Sequence, residues 1–89
     1  DNLIEKNPDV PEYYLACSNI EKENARYELA LVYLDEGLKK CRERNALNLD
    51  KAEILVMMKR YEEAKRVLDA LSASGYYSPR MKQLYKKCK

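Results

Sequence analysis

The 89-residue sequence has no histidine, only three cysteines, two glycines and three prolines. Cys17, Cys41 and Cys88 are odd in number and form no C-x-x-C pair. With histidine absent too, the four Cys/His ligands of a structural zinc site are out of reach. The cysteines read as reduced thiols of a cytosolic type of protein, with Cys17 in the core. There is no Gly-rich phosphate loop and no nucleophile beside a base. Glu21 with Glu28, or Glu62 with Glu63, have the spacing of a solvated helix face and lack the pocket that acid–base pairs need. No enzyme activity and no cofactor are expected. No apolar run approaches the roughly 20 residues of a membrane span, and no signal-peptide pattern opens the chain. A cytoplasmic location is expected, or a recombinant origin, since the chain starts at Asp1 and reads as an excised or processed piece.

What is abundant points to helices. The chain is 46% apolar and 36% charged, too apolar for a disordered tail and too poor in turn residues for a loop-rich fold. Its length suits one domain, or part of a larger one, of modest stability, burying about 60–65% of the unfolded surface. The net charge of +2 hides an asymmetry. Residues 1–37 hold nine acids and three bases, while residues 38–89 hold six acids and fourteen bases. The basic end from Arg80 to Lys89 has the look of a nucleic-acid contact, but no aromatic–basic platform accompanies it. The plainer reading is a solvated helix end, its cations meeting the negative end of the helix dipole.

Sliding the chain against itself by 34 residues aligns 11–44 with 45–78 and gives eight identities: Leu15/Leu49, Ile20/Ile54, Arg26/Arg60, Tyr27/Tyr61, Glu28/Glu62, Ala30/Ala64, Leu34/Leu68 and Asp35/Asp69. Pro11 and Pro79 lie two such periods apart. Each unit reads as two helices. The first helices cover about 11–24 and 47–58, the second ones 27–42 and 61–74, and a last helix covers about 79–88. Pro11 and Pro79 suit a first helical turn, with Ser78 as an N-cap before the latter. Gly75 supplies a left-handed helix stop. Ala30 and Ala64 stand where two helices must approach closely.

A period of 34 with this pattern resembles the tetratricopeptide-repeat family. Its carriers here are Tyr14, Ser18, Tyr27, Ala30, Leu34 and Gly37 in the first unit, and Ala52, Tyr61, Ala64 and Leu68 in the second. Leu3 to Pro8 look like the end of a preceding second helix. The resemblance implies an all-α domain over 1–89, of about five helices stacked as a short right-handed solenoid. Residues 1–10 would be a lead-in, 11–44 and 45–78 two repeats, and 79–89 a terminal helix. It also implies protein or peptide binding in a concave groove lined by first helices. The positions carried over are Glu12, Leu15, Asn19, Lys22, Leu49, Glu53, Val56, Arg80 and Gln83. Of the carboxylate-clamping set in some members, only Asn19 and Arg80 match.

Several residues depart from the family pattern. Asn48 replaces an early aromatic, Glu21 a buried aromatic and Lys51 a Leu, while the turns at Ala25-Arg26 and Lys59-Arg60 lack the usual Gly. A buried unpaired charge is costly, so Glu21 and Lys51 are expected to pair between first helices. A chain assembled as an engineered helical scaffold, with no natural ligand, is the alternative to a binding module. The opposite charges of the two ends lead to an expectation of head-to-tail self-association. Neither nucleic acid nor a membrane is an expected partner.

Overall fold

A computed structural model describes residues 10–88; the lead-in over Leu3 to Pro8 lies outside the described residues. Five helices follow one another: α1 (Pro11–Glu23), α2 (Tyr27–Lys40), α3 (Asn45–Met57), α4 (Tyr61–Ala73) and α5 (Pro79–Lys87). No strand occurs among the described residues. The α1–α2 and α3–α4 pairs are the tightest, and α2 joins them by packing on α3. The first helices also lie side by side, α1 on α3 and α3 on α5. This all-α helical repeat stack is what the 34-residue period predicts.

The helix ends explain their own positions. Pro11 and Pro79 each open a helix after an extended residue, where the missing N–H has no partner to lose. Ser78 occupies the N-cap position, but its hydroxyl makes no capping bond and is buried without a partner. Helix α3 starts at Asn45, two residues ahead of the sequence expectation. There the Glu43 carboxylate accepts the Asn45 N–H at 3.1 Å, satisfying one of the free donors at the helix start.

Three helices stop in the same way. After α1, Arg26 N–H donates to the Glu21 carbonyl and Ala25 N–H to Lys22; after α3, Arg60 donates to Leu55 and Lys59 to Val56. After α4, Tyr76 donates to Leu71 and Gly75 to Ser72. This double bond pattern needs a left-handed residue. Gly75 takes it at φ 89°, as its sequence position predicts. Ala25 at φ 59° and Lys59 at φ 63° take it too, although a Cβ there is sterically disfavoured.

The core fills the space between the helix pairs. Ala30, Ala64, Leu34, Leu47, Ala52 and Leu68 have no exposed surface. A Cβ on Gly37 would stand 2.9 Å from Tyr14 Cγ and 3.1 Å from Leu47 Cδ2, so only glycine admits this approach. Tyr27 and Tyr61 pack half-buried against the same core. Cys41 is buried, whereas Cys17 is only half-buried, which corrects the sequence expectation. Its neighbours one turn away on α1, Tyr13 and Ile20, are half-buried and exposed, so Cys17 stands at the edge of the covered stripe of this helix.

Polar links repeat with the same period. Lys51 on α3 donates to Asp35 on α2 at 2.8 Å, and Tyr85 on α5 donates to Asp69 on α4 at 2.6 Å. Both partners of the second link lie 34 residues after those of the first. Partial burial, and then the bond to Asp69, pushes the Tyr85 hydroxyl up to about 12. The lysine that looks misplaced against the family pattern is thus one member of a recurring inter-repeat link.

Candidate functional site

The side-by-side first helices α1, α3 and α5 bring their outward residues onto one face of the stack. Its centre is the Glu53 carboxylate, which accepts from Lys22 Nζ on α1 at 2.8 Å and from Arg80 on α5 at 2.7 Å. Arg80 also donates to Asp50 at 3.1 Å. One carboxylate therefore ties three consecutive first helices together. Burial by itself pushes the Glu53 carboxyl up, but the bonds from Lys22 and Arg80 outweigh it and hold the group below its ordinary range. The two carboxylates raise the Arg80 guanidinium against the opposing effect of burial.

The nine groove positions separate into three groups. Glu12, Asn19, Arg80 and Gln83 are exposed and accessible. Lys22 and Glu53 are half-buried and paired with each other. Leu15 packs half-buried against the core, while Leu49 and Val56 are buried at 4% and 8% exposure. Leu49 and Val56 thus lie among the core residues and present little surface on this face. They sit one turn either side of Ala52 on the one first helix that has a first helix on each side, so the stack covers them. The family positions Tyr14, Ser18, Ala30, Leu34, Gly37, Ala52, Ala64 and Leu68 are all buried.

Asp50 was missed as a member of this network. Its spacing of three residues from Glu53 on one helix was the available signal. The expected Glu21–Lys51 pair is not formed. Lys51 bonds to Asp35, and Glu21 lies 3.4 Å from Arg26 in the turn after its own helix. Lys51 faces the preceding second helix, not α1, so the two side chains are held by different neighbours. Of the adjacent tyrosines before α5, Tyr76 packs on the core and Tyr77 is 75% exposed.

A family profile described as tetratricopeptide repeat matches residues 21–88. The chain belongs to the tetratricopeptide-repeat family. Tetratricopeptide repeats generally mediate protein–protein contacts. No characterised protein and no solved structure matches this repeat domain. Among the described residues no group of three or more metal-ligating side chains converges, and no helix is long and apolar enough to cross a membrane. Burial pushes the Cys88 thiol up, with Lys65 opposing it, so this thiol is held in its less nucleophilic form.

Proposed function

We propose that this domain is a non-catalytic protein-binding module that receives a partner segment on the face formed by α1, α3 and α5. The observation that carries this reading is the row of accessible polar groups across three parallel first helices. Glu12 and Asn19 stand on α1, Arg80 and Gln83 on α5, with the Lys22–Glu53–Arg80 bridge between them. The bridge holds Lys22, Glu53 and Arg80 in place, which lowers the ordering cost of binding an extended segment beside them.

Substitutions at Leu15 or Val56 would test packing rather than binding, because both contact the core. The exposed pair Asn19→Trp with Gln83→Trp blocks the face without disturbing the core. A control pair on the exposed sides of the second helices, Lys39→Trp with Lys65→Trp, carries the same added bulk. Affinity capture from a cell lysate should recover a partner with the parent and the control but lose it with the groove pair. Capture of the same partner by the groove pair would overturn the assignment. Capture of nothing by the parent would favour a scaffold without a natural ligand.

A further inference from the structure

The face built by the first helices is uneven in charge. Along α1, Glu12, Ala16, Asn19 and Glu23 fall three or four residues apart and make one exposed stripe. The same positions on α3, 34 residues on, are Ala46, Asp50, Glu53 and Met57, and on α5 they include Arg80 and Lys87. Lys22, Asp50, Glu53 and Arg80 form a closed cluster of two bases and two acids, whose charges offset one another. Glu12, Glu23 and Lys87 are exposed and enter no ion pair or hydrogen bond among the described residues. The uncommitted charge of the face is therefore negative on α1 and positive on α5.

Between these helices α3 offers no free charge. Its stripe ends in Met57, a large apolar side chain that is 45% exposed. Glu23 closes α1, Met57 closes α3 and Lys87 closes α5, so an acid, an apolar group and a base follow one another across the same end of the three helices. This order does not depend on what flanks the stack. Helix α3 has a first helix on either side, and Ala46 and Met57 remain exposed. Neighbours packed in this way leave the stripe open, so α1 and α5 would keep theirs in a longer stack.

Resting on the binding face assigned above, we propose that its partner is an extended segment of mixed charge. A lysine or arginine of the segment meets Glu23, an apolar side chain lies on Met57, and an aspartate or glutamate meets Lys87. Packed helices stand about 8–10 Å apart, which puts α1 and α5 about 16–20 Å from each other. An extended chain rises about 3.3 Å per residue, so the base and the acid of the segment stand about five or six residues apart. A segment with charges of one sign gains at one edge of the face and is repelled at the other.

Selection from a random peptide library tests this, with the parent and the blocked pair Asn19→Trp with Gln83→Trp as baits at about 0.15 M salt. Peptides that bind the parent and not the blocked pair should carry a base, an apolar residue and an acid in that order or its reverse. For one such peptide, followed by fluorescence anisotropy, Glu23→Gln should weaken binding about two- to fivefold, and should have no effect once glutamine replaces the base of the peptide. Lys87→Gln should behave in the same way toward the acid of the peptide. Glu12→Gln is the control: it lies about 16 Å along α1 from Glu23, twice the screening length of about 8 Å at this salt, and should leave the affinity unchanged. Groove-dependent peptides that lack the paired charges, or equal losses from Glu12→Gln and Glu23→Gln, would overturn the proposal and leave the binding face standing. A selection without any groove-dependent peptide would overturn both.

Discussion

Replacing Ser18 by alanine should make this domain more stable. Ser18 has no exposed surface, and its hydroxyl has no hydrogen-bond partner. The corresponding residue of the second repeat is Ala52, also without exposed surface, so alanine fits this position in the stack. An unsatisfied buried polar group costs about 1–3 kcal/mol. Alanine is also the better helix former by roughly 0.5 kcal/mol. The small void left by one oxygen opposes these gains. A net stabilisation of about 1–2 kcal/mol follows, which for a domain of this size raises Tm by roughly 4–8 °C per kcal/mol. Urea unfolding followed by circular dichroism should show a higher midpoint at an unchanged slope. The reverse exchange, Ala52→Ser, should lower the midpoint by a similar amount, because it plants the same orphan in the second repeat. An unchanged or lower midpoint for Ser18→Ala would refute the reasoning and mean that the hydroxyl is bonded in solution.

The left-handed helix stops give a second expectation. Ala25→Gly and Lys59→Gly should each stabilise by about 0.5–1 kcal/mol, the relief of the Cβ clash exceeding glycine's entropic cost, while Gly75→Ala should destabilise by about 1 kcal/mol. Parallel thermal melts of the three variants check the signs, and a loss of stability in the first two would show that the turns are not strained. A third expectation concerns acid. Because the Glu53 carboxyl is held below its ordinary range, the unfolded chain binds this proton first, so the Lys22–Glu53–Arg80 bridge contributes above the ordinary carboxylate range and is lost as pH falls through the lowered value. Carbon-detected titration should place Glu53 below the ordinary glutamate value of about 4.3, and Lys22→Met should raise it. A midpoint at or above that value in the parent would show that the bridge is not formed.

The sequence by itself determined the local and the periodic features. Five helices are legible because apolar residues recur at helical spacing along a single segment, and the family is legible because one segment repeats another at an offset of 34. Gly75 announces its own left-handed stop, since glycine alone adopts that conformation without cost. The close approaches at Ala30 and Ala64 follow from small residues set among large ones. The groove positions, in contrast, come only from the family resemblance, which carries them over by their match to the repeat.

Only the tertiary structure decided which partner each charge takes and which residues of the first helices are covered. Lys51 chose Asp35 over Glu21 because α3 turns that side chain toward α2, and a long flexible side chain pairs with whichever carboxylate its helix neighbour presents. Leu49 and Val56 are buried because α3 has a first helix on either side, whereas Glu12, Asn19, Arg80 and Gln83 on the outer helices are exposed. Ala25 and Lys59 adopt a conformation their side chains disfavour because the stacking of α1 on α2, and of α3 on α4, requires the turn whatever residue occupies it. The pattern along the chain fixes what each segment is. The distances between segments, which no single segment encodes, fix what each side chain does.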